Sequence, residues 1–187
     1  MAKMGKFDAK DLKKLQTKLN KLKADQTKAF VEDCAKELAA RLLAKVIKRT
    51  PVGDYSREIE VVAQKDGKKH KKGETYKKRV NPSGKRGGTL RRGWTASSHE
   101  EAAAGGGATA AQYADSLKIN HVGNVLTVEI VNPVEYASYV EYGHRTRDHQ
   151  GWIPGRFMLT ISEQEIQAIA PNVLAAKLEA FLKGAKA

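Results

Sequence analysis

The chain has 187 residues, with 34 Lys and Arg against 21 Asp and Glu, a formal net charge of +13 and one cysteine. That length suffices for one domain that withdraws about 70% of its unfolded surface from water, and a lone Cys34 in an apolar helical pattern excludes a disulfide scaffold. Met1 to Lys10 lack the apolar run of a signal peptide and no stretch nears bilayer-spanning length, so a soluble protein made in a cytoplasm is expected.

From Asp8 to about Lys23, Leu12, Leu15, Leu19 and Leu22 step by three and four, the pattern of an amphipathic helix. After the polar interval Ala24 to Lys28, Phe30, Cys34, Leu38, Leu42 and Val46, widened by Val31, Ala35, Leu43 and Ile47, give a second and more buried helix. It must stop near Arg49, because Pro51 disfavours helical geometry at Thr50. Ile59 to Ala63 is a short β-prone run, followed by an extended basic excursion from Gln64 to Gly88. Between Lys65 and Arg92 twelve Lys or Arg face only Asp66 and Glu74, a net +10. The cations Lys68, Lys69, Lys71, Lys72, Lys77, Lys78, Arg79, Lys85 and Arg86 are candidate polyanion contacts, with a solvated mobile loop as the alternative.

Thr89 to Ala96 reads as a strand with Leu90 and Trp94 on one face, and Ala102 to Ala111, holding Gly105 to Gly107, reads as a flexible connection. Leu117 to Val122 and Val125 to Val131 flank Gly123-Asn124, the pattern of an antiparallel hairpin. Tyr136, Tyr139 and Tyr142 share one side of a short helix that Gly143 ends in a left-handed conformation. A Trp152-Ile153-Pro154 turn then feeds a helix from Phe157 to Ile169, and Pro171 opens a last one through Leu174, Leu178 and Phe181. The expected class is α+β in one domain: an antiparallel sheet with a long N-terminal helical region (8–49) and C-terminal helices packed on it. Within it, 54–87 is a basic inserted loop, 88–169 the sheet and helix core, and 171–187 the C-terminal helix.

Tyrosine and tryptophan pair an apolar body with a polar tip and suit half-buried surfaces between subunits. Candidates for oligomer or partner contact are Tyr136, Tyr139, Tyr142, Trp152, Arg91, Arg92, His144 and Arg145. Core burial of the tyrosine stripe is the competing reading; Trp94 leans to the core and Trp152 is open between core and contact. Glu141 and Arg145 stand at helical pairing distance, worth about 0.3 to 0.5 kcal/mol when exposed.

These motifs resemble, in order and spacing, the small neck or tail-completion proteins of long-tailed bacteriophages, the minor tail components. The residues that carry the resemblance are Thr50-Pro51-Val52-Gly53, Gly88-Thr89-Leu90-Arg91-Arg92-Gly93-Trp94, Tyr136 to Arg145, and Gly151 to Met158. The resemblance runs from about Asp8 to Ile169. In compact members the first two motifs nearly fuse, so Asp54 to Gly87 here is a departure. What the resemblance implies is a structural virion protein of the neck, made in the bacterial host cytoplasm. It would form a ring, with a hexamer favoured over a dodecamer, between the connector or stopper protein on the head side and the tail terminator or tail tube protein. DNA would pass through the lumen on ejection. The role of the basic insertion does not follow from the resemblance: on its charge alone it would face that DNA or dock on an acidic ring, with docking slightly favoured because tight DNA contact would hinder exit.

No enzyme reading competes, and no catalytic residue, metal or cofactor is expected. Gly84-Lys85-Arg86-Gly87-Gly88-Thr89 lacks the order of a phosphate-binding loop. Glu141, His144, Asp148 and His149 match no zinc spacing, and Cys34 has no neighbouring base. The alternative from another class is a sequence-nonspecific nucleic-acid-binding protein using the 65–92 segment, with Tyr76 and Trp94 near its cations. A coiled-coil partner through Leu12 to Leu22 is weaker, since only about two heptads are present.

Overall fold

The structure is a computed structural model and describes residues 24–123 and 125–184. The helix expected from Asp8 to Lys23 lies outside the described residues. The chain divides into two compact units: Met1–Val46 with Ala108–Ile130 and Phe157–Ala187, and Ile47–Gly107 with Val131–Arg156. Helices and antiparallel strands are mixed, the expected α+β class, but among the described residues the sheet comes as three separate two-stranded pieces.

In the first unit, helix α1 (Ala24–Arg49; its last three residues belong to the second unit) and a long C-terminal helix, Met158–Gly184, run antiparallel. Phe30 stacks on Phe181 at 4.4 Å, Lys177 Nζ meets Asp33 Oδ2 at 2.5 Å, and Lys45 Nζ meets Glu165 Oε2 at 2.6 Å. The pairs step forward along one helix as they step back along the other. Ala39, Leu43 and Val46 on α1, and Met158, Ser162 and Ile166 on its partner, are buried at three- and four-residue intervals, with Cys34 buried just over one turn before Ala39, so the buried faces follow the helical period. The hairpin Ile119–Val122 with Val125–Val128 pairs Ile119 with Val128 and Val122 with Val125, placing the turn at Gly123, whose φ is 58°. His121 Nε2 meets Glu32 Oε1 at 2.9 Å and ties this hairpin to α1. The short helix Ala110–Ser116 is joined to α1 where Lys36 Nζ donates to the Asp115 carbonyl at 2.9 Å.

In the second unit, strands β1 (Arg57–Val62) and β2 (Thr75–Val80) form a hairpin with Arg57 opposite Val80 and Val62 opposite Thr75. The basic excursion is therefore ordered over Thr75–Val80, which charge had hidden. Helix α2 (Thr89–Gly93) corrects the strand expected over Thr89 to Ala96. Leu90 and Trp94 remain buried together, because a spacing of four shares one face in a helix as it does in a strand. Helix α3 (His99–Ala104) and the Ala110–Ser116 helix, α4, correct the flexible connection expected over Ala102 to Ala111. Each has a side-chain cap, Ser98 accepting from Glu101 N–H and Thr109 forming a reciprocal capping box with Gln112.

With β3 (Ile119–Val122) and β4 (Val125–Val128) numbered in order, α5 (Ala137–Tyr142), β5 (Gly143–Arg145) and β6 (Trp152–Pro154) follow, and α6 is Met158–Gly184. Trp152-Ile153-Pro154 is a strand rather than a turn. Pro171 lies inside α6 and opens no new helix. It forfeits the backbone bond to Gln167, but the Glu165 and Lys177 bridges clamp the helix on either side.

Two contacts in the second unit fix how the pieces meet. A Cβ on Gly87 would fall 2.0 Å from the Gly53 carbonyl oxygen, so the two ends of the inserted segment touch. A Cβ on Gly93 would fall 2.2 Å from Asn132 Oδ1, while Asn132 Nδ2 donates to the Leu90 carbonyl at 2.9 Å. Only glycine at 93 lets residues 132–134 lie against α2.

Candidate subunit interface

The interface candidates centre on α5, β5 and β6. Ala137 N–H donates to the Val134 carbonyl at 2.8 Å and starts the helix; Gly143 N–H closes it on the Tyr139 carbonyl. Gly143 has φ 87° and ψ 171°, a positive φ but not the left-handed helical cap expected from the sequence. Its own Cβ would meet the Ile153 carbonyl oxygen at 2.5 Å, so glycine is required there for space as well as for φ. Strand β5 pairs with β6 as Gly143–Pro154, His144–Ile153 and Arg145–Trp152. Gly155 approaches the Glu141 carbonyl so closely that a Cβ would stand 2.2 Å away, and Arg156 N–H donates to the Val140 carbonyl at 2.8 Å. The helix and the hairpin are thus locked backbone to backbone.

The connection from β5 to β6 is equally constrained. Thr146 N–H donates to the Gly151 carbonyl at 3.0 Å, and Gly151 N–H donates to Thr146 Oγ1 at 2.9 Å. Asp148 accepts from the Thr146 hydroxyl and from Gln150 N–H, which hold its carboxyl below the usual carboxylate range. Asp148 is engaged in its own turn, and among the described residues no group of three or more His, Cys, Asp or Glu is placed to hold a metal ion.

On this rigid base the aromatic side chains point outward. Tyr139, Tyr142 and Trp152 are 58%, 62% and 60% exposed, with Tyr136 and Ile153 exposed beside them. The one buried side chain of α5 is Glu141, so the helix presents its tyrosines to solvent and its acid to the protein. Arg145 sits in β5, beyond the last helical residue, and the expected exposed helical pair of Glu141 with Arg145 is corrected on both counts. His144 is half-buried, with its ring edge-on to Tyr139 at 5.8 Å. Trp94 is a core residue, 4% exposed, whose indole N–H donates to Thr50 Oγ1.

Arg91 and Arg92 are engaged internally. The Arg91 guanidinium donates twice to the Thr50 carbonyl, at 2.6 and 3.1 Å, and Arg92 donates to the Ala102 and Gly87 carbonyls at 2.7 and 3.2 Å. Tyr55, which sequence reasoning passed over, is exposed and neighbours Tyr136. Partial burial raises the Tyr136 hydroxyl above its ordinary pKa, Tyr55 adds to the rise and Arg92 opposes it. No periodicity marks Tyr55, which follows the Pro51 break in irregular chain.

The cations of the inserted segment fall into two groups. In the stem, Glu58 stands opposite Arg79 and Glu60 opposite Lys77, while Arg79 also pairs with Asp54; Lys78 occupies the other face beside Ile59. Lys68, Lys69, Lys71 and Lys72 lie in the turn between the strands, and Lys85 and Arg86 follow β2; all six are exposed.

No helix among the described residues is long and apolar enough to cross a membrane. Neither the curated proteins nor the solved structures contain a match to this chain. One family model does match, twice, over residues 13–86 and 75–143, described as "Bacteriophage HK97-gp10, putative tail-component". The two matches overlap inside the basic segment that the resemblance read as an insertion. Together they span well over half of the chain, which therefore belongs to the HK97-gp10-like family and has the structural role of a phage tail component in the virion.

Proposed function

We propose that the protein is the tail-completion component of a phage neck, forming a ring that joins the DNA-filled head to the tail tube. The observation that carries this reading is the outward display of Tyr139, Tyr142 and Trp152 on a base locked by Gly143 and Gly155. A rigid scaffold that spends its aromatic side chains on solvent leaves them free to bury in a neighbour, and preorganisation lowers the cost of binding. Head-to-tail contacts that close make a ring, with a hexamer the favoured size and Tyr136, His144 and Arg145 at the edge of the contact. Arg91 and Arg92, engaged with the carbonyls of Thr50, Ala102 and Gly87, take no direct part in this contact. The partners are the connector or stopper protein above and the tail terminator or tube protein below, and the role is structural rather than catalytic.

Electron microscopy of a lysate from phage carrying a stop codon in this gene tests the reading. Filled heads and finished tails should accumulate apart, and wild-type protein should restore infectivity where Tyr139→Ala/Trp152→Ala protein does not. Joined particles in the stop-codon lysate would refute it. A free subunit is expected to be monomeric, since assembly can require the partner ring.

A further inference from the structure

The turn joining β1 to β2, residues 63–74, holds five lysines, Lys65, Lys68, Lys69, Lys71 and Lys72, against Asp66 and Glu74. Both acids are bound to the turn's own backbone. Asp66 Oδ1 accepts from Lys72 N–H at 2.8 Å and Glu74 Oε2 from Lys71 N–H at 2.9 Å. Gly67 N–H donates to the His70 carbonyl, and Gly73 N–H to the Ala63 carbonyl, both at 2.9 Å. The carboxylates therefore shape the turn, and among the described residues none of the five exposed ammonium groups has an ion-pair partner. In the stem, Glu58 and Glu60 stand opposite Arg79 and Lys77, which offsets part of its charge. Positive charge is concentrated at an ordered tip.

We propose that this tip binds the phosphate backbone of duplex DNA without sequence preference, an inference that goes beyond the ring reading and does not depend on it. The chemistry of the tip selects the partner. Lysine is a compact, strongly hydrated point charge and residues 63–74 contain no arginine, so the tip offers undirected charge rather than bidentate recognition. They contain no apolar side chain larger than Ala63, so the buried anchor of a protein interface is missing, and lysine is depleted from such interfaces. Tyr76, the nearest aromatic ring, is half-buried and stacked on His70 at 4.1 Å, so it offers no face to an unpaired base. What remains is attraction to a dense, regular line of charge, which duplex DNA supplies at about one phosphate per 1.7 Å of axis.

Fluorescence anisotropy of a labelled mixed-sequence duplex with the full chain tests the proposal. Affinity should fall about a hundredfold between about 50 and about 200 mM salt, unchanged by scrambling the sequence. Combining Lys68→Gln, Lys69→Gln, Lys71→Gln and Lys72→Gln should flatten the slope of log K against log salt by about 3 to 4. Combining Lys28→Gln, Lys48→Gln and Lys118→Gln, exposed lysines elsewhere, should leave that slope in place. Replacing residues 64–73 by an Asn-Gly turn gives a second variant that keeps the strands, and acetylation of the unmodified chain should show duplex protection of Lys68 to Lys72 but not of Lys48. Equal slopes for the tip and control variants, or no protection, would overturn the proposal. Displacement of the duplex by polyglutamate of matched charge at equal or lower concentration would overturn it in favour of an acidic protein partner.

Discussion

Trp94 donates its indole N–H to the hydroxyl of Thr50 at 2.8 Å, across a pair in which both residues are buried and Thr50 is fully enclosed. The carbonyl of the same threonine takes the Arg91 guanidinium. Thr50 thus joins the end of α1 to α2 through both its side chain and its backbone. Thr50→Val keeps the shape and orphans the indole donor, so it should lose about 1 to 3 kcal/mol, while Thr50→Ser should lose much less. Chemical denaturation followed by tryptophan fluorescence checks both, and equal stability of the valine variant would show that the bond contributes nothing.

Gly143 stands at φ 87° with the Ile153 carbonyl where a side chain would begin. Gly143→Ala should cost at least about 1 to 3 kcal/mol from the strained φ alone, and should separate α5 from β6. Amide exchange at Arg156, whose N–H is held by Val140, reports the damage locally. Unchanged protection there would mean that the backbone lock is not what holds the aromatic surface.

The meeting of Gly53 with Gly87 makes the inserted segment removable. Deleting 54–86 and joining the flanks should leave a folded protein, because no chain has to be stretched to close the gap. Circular dichroism and a cooperative melt check this; loss of cooperative unfolding would mean that the hairpin is part of the core.

Acid should loosen that hairpin before it unfolds the rest. Hydrogen bonds from Ser56 depress the Asp54 pKa, with Arg79 assisting, and the Lys71 N–H depresses that of Glu74, with His70 assisting. A depressed carboxyl stabilises the fold above its unfolded pKa, and that contribution is lost as pH falls through the lowered folded value. Amide protection at Lys71 and Ser56 should therefore be flat from neutral pH down to the ordinary carboxylate range and fall below it. Protection lost well above that range would mean that these carboxylates do not hold the hairpin.

Pro171 offers a gain. Its exposed position in the middle of α6 leaves the Gln167 carbonyl without its helical donor, so Pro171→Ala should stabilise the protein, by up to about 3 kcal/mol. A lower melting temperature would show that a bend at this proline is needed.

Local chemistry made much of this legible. Pro51 stopped α1, Gly123 marked the β3–β4 turn, and the tyrosine spacing with Gly143 gave α5 almost to the residue. The failures have physical causes. Leu90 and Trp94, four apart, fit a strand and a helix equally, and the decision for helix depended on Asn132 reaching the Leu90 carbonyl from 42 residues away. The caps Ser98-x-x-Glu101 and Thr109-x-x-Gln112 were present in the sequence, but the adjoining glycines masked them. Strand β2 carries three cations in six residues, and two of them, Lys77 and Arg79, are faced by Glu60 and Glu58 only once β1 pairs with it. As for the interface candidates, spacing put the tyrosines on one side, but only the fold could say that this side is the outer one.

The stacking of Phe30 on Phe181 puts the opening turns of α1 beside the closing turns of α6. Tension applied to the chain at Ala24 and Gly184 would load this helix pair from the end where Phe30 meets Phe181, as a zipper rather than in shear. The aromatic stack would part first, then Asp33 from Lys177, and Lys45 from Glu165 last, one contact at a time. Contacts that part in sequence yield at lower force than contacts loaded together, so the described pair of helices is arranged to peel rather than to bear a pull between Ala24 and Gly184.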